Sequence, residues 1–196
     1  MPILSQAPDS PVAKFSFAAN LSSLRRTLHS RKLMLALSFG IEDIAASVPG
    51  TTLIVAFQRL SLARPQMGRY ALLTPKLVHT YIVGVPDVTL PELPNTTIVP
   101  IEPTWPLMHE WVVLANGPAC SAGLFAYDHE ISQPNEVSRR FQGAWTTDAL
   151  ITDTVQNLFL RAIGQPLVSR RRDQAALRQT TQRVQQVLTQ RLRGTA

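Results

Sequence analysis

The segment Ser38–Phe57 has the sequence SFGIEDIAASVPGTTLIVAF, and it predicts an amphipathic helix followed at once by a buried strand. Apolar residues recur at helical spacing from Ile41 to Val48, until Pro49 and the glycine after it end the pattern. The run Thr51–Phe57 is short, β-branched and apolar, which favours a buried strand over a second helix. A helix that leads directly into a buried strand is typical of folds that alternate the two elements.

The regions on both sides continue this alternation. The predicted helices cover 20–32, 62–77 and 151–162, and the predicted strands cover 78–83 and 97–101. Trp111–Ala115 and Ala119–Tyr127 flank Asn116-Gly117, a pair that accepts positive φ and so favours a tight antiparallel hairpin. We therefore predict an α/β fold with a mixed β-sheet of about five strands flanked by helices, plus a C-terminal helix.

The basic charge of the chain is concentrated beyond Gln165. The formal net charge is +6 at pH 7, and seven arginines in this region, opposed by Asp173, account for all of it. Residues 170–193 contain strong helix formers without glycine or proline, and a proline shortly before them separates them from the preceding helix. We therefore predict a body over 15–164 and a basic helical tail over 165–196.

The predicted tail helix also has a narrow apolar stripe. A stripe of this width suits a two-stranded coil or a helix that docks on a partner. Arginines also neutralise nucleic-acid phosphates, but the tail lacks interleaved aromatic residues and any DNA-reading motif. We expect docking on an acidic partner, with a homodimer and nucleic-acid association as alternatives. The residues expected to form the docking surface are Arg170, Arg171, Arg172, Leu177, Val184 and Leu188.

Some functional classes are disfavoured by what the sequence lacks. No apolar run approaches the ~20 residues of a membrane span, and no secretory signal precedes Lys14. The single cysteine, Cys120, fits a reducing compartment, so we expect a cytoplasmic location. The sequence contains no zinc-binding cysteine cluster, nucleophile elbow, phosphate-binding glycine loop or zincin motif. We therefore expect no metal, no cofactor and no enzyme activity.

Polar residue pairs are the remaining candidates for acid–base chemistry. His109-Glu110 and His129-Glu130 have suitable side chains, but neighbours on a strand point to opposite faces. Glu42 and Asp43, at the start of a predicted helix, could hold a cation, although acids at that position commonly stabilise the helix dipole. A small hydrolase or transferase that uses His109, Glu110 and Asp148 is the least favoured function.

Aromatic residues with polar neighbours are the candidates for a ligand pocket. Pockets are mostly apolar and aromatic, with a few polar groups that orient the ligand. The alternative is that the aromatic residues only form the core, and that the arginines lie at the surface or in ion pairs. The residues in question are Phe57, Tyr70, Trp111 and Trp145, with Gln58, Arg59 and Arg69 as polar neighbours.

Several short motifs occur along the chain in a defined order. SFGIEDI at 38–44, VAFQR at 55–59 and Arg69-Tyr70 resemble, in sequence and order, motifs of the DICT family of bacterial sensory domains. EWVVL at 110–114 looks like the family's E-W-x-x-V strand. RRFQGAWTTD at 139–148 is similar to its R-R-F-E-G-x-W-T-x-D signature, with glutamine where the first acid is usual. The resemblance covers most of the predicted body.

This resemblance implies a sensory or regulatory role. DICT domains are found joined to diguanylate cyclases, histidine kinases and helix-turn-helix regulators, and they have been linked to light-related signalling. We therefore expect a stand-alone sensory module that binds a small ligand or a partner protein. Its signal would pass through the helix at 148–163 and the basic tail to a histidine kinase, diguanylate cyclase or transcription regulator on a separate chain. The residues expected to bind the ligand or partner are Glu42, Asp43, Phe57, Gln58, Arg59, Arg69, Tyr70, Glu110, Trp111, Trp145 and Asp148.

Overall fold

The centre of the fold is one β-sheet. The computed structural model of the protein describes residues 11–21, 27–128, 140–169 and 171–193. The strands in this part of the chain are β1 (Thr27–Ser30), β2 (Thr52–Arg59), β3 (His79–Val85), β4 (Thr96–Pro100), β5 (Glu110–Gly117), β6 (Cys120–Asp128) and β7 (Arg140–Thr146). They form a seven-stranded sheet in the order β1-β7-β6-β5-β2-β3-β4.

The sheet combines parallel and antiparallel pairing. β2 pairs in parallel with β3, and β3 pairs in parallel with β4. On its other side β2 pairs antiparallel with β5, and β6, β7 and β1 continue antiparallel to the edge. The predicted mixed sheet is confirmed, and β2 is the strand at which its direction pattern changes.

Helices cover both faces of the sheet. They are α1 (Arg31–Ser47), α2 (Leu60–Ala63), α3 (Met67–Leu73), α4 (Ala149–Ala162) and α5 (Gln174–Arg193). Leu53 and Val55 of β2 pack in the core that includes α1, α3 and α5, whereas Ile54 packs in the core that includes α4 and the N-terminal segment. Alternate residues of a strand point to opposite faces, so the continuous apolar run of β2 supplies both cores.

The prediction of a helix over 20–32 is wrong at Thr27–Ser30, and residues 22–26 lie outside the described residues. Thr27–Ser30 is the edge strand β1, which pairs antiparallel with β7. The helix begins only at Arg31, where Ser30 caps it by accepting a hydrogen bond from the backbone N–H of Leu33 at 3.3 Å. β1 and β7 are the two strands beyond the predicted five.

The β5–β6 hairpin is confirmed, but its turn lies two residues later than predicted. Gly117 pairs with Cys120, so Pro118 and Ala119 form the turn. Asn116 is buried within β5 and donates hydrogen bonds to Asp153 and Gln156 of α4. Because the side-chain amide of Asn116 bonds to α4, Asn116 stays in the strand and does not form part of the turn.

The predicted helix over 62–77 is interrupted by prolines. Pro65 and Pro75 lie in 3-10 turns at Arg64–Gln66 and Thr74–Lys76, which confine the regular helix to the seven residues of α3. Further 3-10 turns lie at Pro11–Lys14, Ala19–Leu21 and Pro106–His109.

The C-terminal helix α5 is packed on the body. Leu177, Val184 and Leu188 are all buried, and the last two are fully enclosed in the core on the α1 side of the sheet. The expectation that this apolar stripe docks on a partner is therefore wrong, because the body itself covers it. The division into units at 15–164 and 165–196 stays a prediction, but α5 is not detached.

Arg172 holds the start of α5 against the β5–β6 hairpin. Its guanidinium donates hydrogen bonds to the backbone oxygens of Gly117 and Cys120 and to Asn116 Oδ1, and it pairs with Asp153 at 2.6 Å. With about 10% of its side chain exposed, Arg172 is part of the fold and not of a docking surface. Arg171 is exposed, and Arg170 lies outside the described residues.

Candidate ligand-binding site

A cavity of about 340 Å³ lies between α1 and the carboxyl end of β2. This end of β2 adjoins β5, where the sheet changes from parallel to antiparallel pairing. In open α/β sheets, ligands bind in crevices outside the carboxyl ends of the parallel strands. The volume also lies within the range of small-molecule pockets, roughly 300–1,000 Å³.

Five parts of the chain form the lining. α1 contributes Arg31, Leu35, Ser38, Phe39 and Glu42, which lie on one helical face because they are three or four residues apart. β2 contributes 55–58, the start of β5 contributes 110–113, and β7, which β6 separates from β5, contributes Phe141. Ser61, Leu62, Pro65 and Gln66, in and after α2, complete the lining.

The end of β2 is irregular where it meets the cavity. Its pairing with β3 shifts register between Ala56 and Arg59, as in a β-bulge. Gly84 of β3 permits this shape, because a Cβ there would lie 2.7 Å from the carbonyl oxygen of Phe57. Bulges are common beside functional sites because they redirect side chains, and this one lies at Phe57 and Gln58 on the lining.

A buried carboxylate network forms the α1 wall. Tyr70 donates its hydroxyl to Glu42 Oε1 at 2.7 Å, and Arg69 donates Nε to Glu42 Oε2 at 3.2 Å. Arg69 also pairs with Asp43 at 2.9 Å and lies over the ring of Phe39, 4.9 Å from its centroid. The residues predicted at 42, 43, 69 and 70 are thus brought together, although Glu42 alone of these four faces the cavity.

Burial changes the proton affinity of this network. Desolvation raises the pKa of Glu42 above its ordinary value, and the opposing hydrogen bond from Tyr70 and charge of Arg69 do not cancel this effect. Burial and the neighbouring Glu42 charge raise the pKa of Tyr70 well above its usual value. Burial lowers the pKa of Arg69, but the attraction of Glu42 and Asp43 outweighs it and leaves that pKa raised.

Two further polar groups on the lining are tied to the frame. Trp111 donates Nε1–H to Ser38 Oγ at 3.0 Å, and Ser38 donates its hydroxyl to the carbonyl oxygen of Met34 at 2.8 Å. Gln58 donates its amide to Asp128 Oδ2 at 3.1 Å in a buried contact between β2 and β6. These bonds fix the orientation of the indole and the amide that face the cavity.

Glu110 has a structural partner and is not paired with the other predicted catalytic residues. Its buried carboxylate accepts hydrogen bonds from Ser16 Oγ and from the backbone N–H of Phe17 at 2.9 Å. Asp148 caps α4 by accepting from the backbone N–H of Leu150 at 2.8 Å. The strand register places Asp148 toward the far end of the sheet from Glu110, roughly 13 Å or more along the strands.

The alternative of a hydrolase or transferase that uses His109, Glu110 and Asp148 is therefore contradicted, because these three side chains do not meet in one cleft. The ring of His109 stacks on Tyr127, with centroids 5.5 Å apart, and Glu110 and Asp148 serve two different parts of the frame. The pair His129-Glu130 lies outside the described residues. In the described ranges, no group of three or more His, Cys, Asp or Glu side chains is placed to hold a metal ion.

Sequence reasoning found part of the lining. Of the predicted residues, Glu42, Phe57, Gln58 and Trp111 line the cavity, and Glu110 also borders it although its carboxylate is bonded to the N-terminal segment. Six predicted residues do not line it: Asp43, Arg69 and Tyr70 lie behind Glu42, Arg59 is at the exposed end of β2, Trp145 packs against the core on β7, and Asp148 starts α4.

Leu35, Phe39 and Phe141 were missed. The spacing of Leu35, Phe39 and Glu42 on one helical face was the available signal for the first two, since it mixes large apolar residues with a buried acid. Phe141 reaches the cavity from β7, and its ring lies 5.2 Å from that of Trp111.

Comparison with known proteins gives one family match. The DICT model, described as a sensory domain in diguanylate cyclases and two-component systems, matches residues 13–129, which is more than half of the chain. The match includes α1, β2 and β5, and therefore most of the cavity lining. No curated protein and no solved structure matches the chain. Among the helices of the described residues, none has the length and hydropathy that a membrane crossing requires.

Proposed function

Because the chain belongs to the DICT family of sensory domains, we propose that it senses a small molecule bound in the cavity beside α1. The observation that carries this proposal is the position of the cavity within the matched region, at the carboxyl end of β2. A volume of about 340 Å³ and a largely apolar lining with a few oriented polar groups are typical of ligand sites.

The route of the signal leads through α1. The face of α1 with Leu35, Phe39 and Glu42 lines the cavity, while other residues of α1 share a core with α5. Arg183 of α5 donates to Ser47 at the end of α1 at 3.1 Å. A ligand that prefers one position of α1 therefore changes its packing against α5.

This route differs from the predicted relay. The helix expected to carry the signal, 148–163, corresponds to α4, which packs in the core on the opposite face of the sheet. No relay role was predicted for α1, yet α1 lines the cavity and shares a core with α5.

The proposed output surface is the basic outer face of α5. Its apolar residues are used internally, whereas Arg178, Arg183 and Arg193 are exposed. An acidic surface on a histidine kinase, a diguanylate cyclase or a transcription regulator is the partner that fits this charge. The light-related stimulus, the homodimer and the cytoplasmic location also remain proposals.

The test is a thermal-shift screen of small molecules followed by amide hydrogen exchange. We expect molecules that raise the Tm of the wild type to raise it less in Leu35→Trp, which fills the cavity from α1. The matched control is Leu72→Trp, because Leu72 is 70% exposed on α3 and does not line the cavity. A molecule that binds in the cavity and leaves the exchange of α1 and α5 unchanged would contradict the sensing proposal.

Nucleic-acid association through α5 is the second candidate, and the exposed arginines favour it. The logarithm of the binding constant of such a complex falls linearly with the logarithm of the salt concentration, with a slope proportional to the number of phosphates neutralised. Duplex DNA binding with a steep salt dependence, lost in Arg178→Glu/Arg183→Glu, would favour this candidate over an acidic protein partner.

A further inference from the structure

We propose that the cavity binds an electrically neutral molecule with a flat aromatic part; this inference rests on the proposed sensory function. The ionisable groups on the lining already interact with other groups of the chain, and aromatic rings lie on opposite walls. Together these features favour the binding of a neutral ligand with a ring system over the binding of a charged ligand.

The polar groups of α1 that face the cavity have partners in the protein. The two carboxylate oxygens of Glu42 accept hydrogen bonds from Tyr70 and Arg69, and the guanidinium balances its charge. Ser38 accepts from the indole of Trp111 and donates to a backbone oxygen. A ligand therefore meets groups whose charge and main hydrogen bonds are already matched.

The other ionisable groups on the lining are also engaged. The carboxylate of Glu110 accepts hydrogen bonds from Ser16 and from the backbone amides of Phe17 and Ala18. Arg31 interacts with the rest of the chain as well. A charged ligand would lose its hydration here beside ionisable groups that already have partners in the chain, which is unfavourable.

Aromatic rings define the apolar walls. Phe39 lies on the α1 side, and Phe57, Trp111 and Phe141 lie on the sheet side. The rings of Trp111 and Phe141 meet edge to face with centroids 5.2 Å apart, and Phe57 meets Tyr70 in the same manner at 6.3 Å. A flat ring inserted between these walls gains stacking or edge contacts in addition to the burial of its area.

The test uses a fluorescent probe and three matched competitors. N-phenylnaphthylamine, which is neutral, should bind the wild type saturably with enhanced fluorescence. Naphthylmethanol should displace it at concentrations at least about tenfold lower than naphthoate or naphthylmethylammonium, because only the alcohol enters without a charge. The three competitors share one ring system, so the comparison isolates the charge.

The site is assigned by substitution. Leu35→Trp should weaken probe binding by at least about tenfold, because it fills the cavity, and Leu72→Trp should leave it unchanged. Leu62→Trp fills the same cavity from the α2 side and replaces Leu35→Trp if that variant does not fold. The proposal would be overturned if either ionic competitor bound as tightly as naphthylmethanol or more tightly. It would also be overturned if both cavity-filling variants bound the probe as well as the wild type does, or if the wild type showed no saturable binding.

The same experiment separates this inference from the sensory function. If an ionic competitor wins and its binding changes amide exchange in α5, the ligand class is wrong and sensing stands. If the neutral ring compounds win but exchange in α5 does not change, the ligand class stands and the proposed signal route is wrong.

Discussion

Glu42 is the residue whose chemistry most depends on its surroundings. It is 3% exposed on α1, and its side chain joins Tyr70 and Arg69 of α3 to the wall of the cavity. A carboxyl group buried this deeply is stabilised by a hydroxyl and a guanidinium, yet burial still raises its pKa. The same residue thus contributes to the packing of two helices and to the polarity of the site.

The raised pKa of Glu42 predicts a specific dependence of stability on pH. The carboxyl of the unfolded chain, near its ordinary value of 4.5, loses its proton before the folded one does as the pH rises. The contribution of Glu42 to stability is therefore fully present below that value and declines as the pH rises through the folded pKa. In Glu42→Gln this decline disappears, so the variant should gain stability relative to the wild type as the pH rises.

Urea unfolding of the wild type and Glu42→Gln at a series of pH values measures this effect. The glutamine still accepts a hydrogen bond from Tyr70 but no longer balances Arg69. Asp43→Asn controls for that loss, because Asp43 is the exposed partner of the same arginine. A stability difference between wild type and Glu42→Gln that stays constant, or that moves in favour of the wild type as the pH rises, would show that the raised pKa is wrong.

At the scale of elements, Arg172 connects α5 to the rest of the fold. It lies in the link before α5 and satisfies backbone oxygens at the β5–β6 turn while pairing with Asp153 of α4. One planar guanidinium thereby joins a hairpin and two helices, which a lysine could not do with equal geometry.

Arg172→Met should loosen this junction. The substitution roughly keeps the length of the side chain but removes the guanidinium donor from several acceptors and the counter-charge from Asp153, at a cost of about 2 to 3 kcal/mol in the free energy of unfolding. Amide exchange near the start of α5 should also become faster. The control is Arg171→Met, an exposed neighbour, whose effect should stay within about 0.5 kcal/mol. Equal effects of the two substitutions would mean that the contacts of Arg172 do not stabilise the junction.

The elements that sequence predicted well are those with a clear local pattern. The predicted strands at 51–57 and 78–83 correspond to β2 and β3, which are short continuous apolar runs, and the helix at 151–162 corresponds to α4, whose apolar residues recur at helical spacing. β1 was hidden because Leu28 extends a helical spacing from residues before it, although tertiary pairing with β7 makes Thr27–Ser30 a strand. Local pattern has no information about a pairing partner more than a hundred residues away.

The candidate site shows the same division between local and distant information. Glu42, Phe57 and Trp111 were identified because each stands in a short motif of unusual composition. Phe141 was not, since it reaches the cavity through the pairing of β7 with β6. The enclosure of the α5 stripe was also hidden, because an amphipathic helix has the same sequence pattern whether a partner or its own body covers it.

At the scale of the whole molecule, α5 and the body should unfold together. Leu188 and Val184 are fully buried in the core that α5 shares with α1. Leu188→Ala should lower the free energy of unfolding by about 2 to 5 kcal/mol, the usual cost of a cavity in a packed core. Unfolding followed by tryptophan fluorescence, which reports on the body through Trp105, Trp111 and Trp145, should coincide with unfolding followed by helical circular dichroism.

Gln185→Ala on the exposed face of α5 is the matched control, and it should change stability by less than about 0.5 kcal/mol. If α5 were an independent tail, Leu188→Ala would leave the tryptophan transition unchanged and the two signals would separate. If Leu188→Ala instead shifts one transition that both signals share, then the packing of α5 is coupled to the folding of the body. Signal transfer from the cavity then requires no detached helix, because a change in α1 already alters the core on which α5 depends.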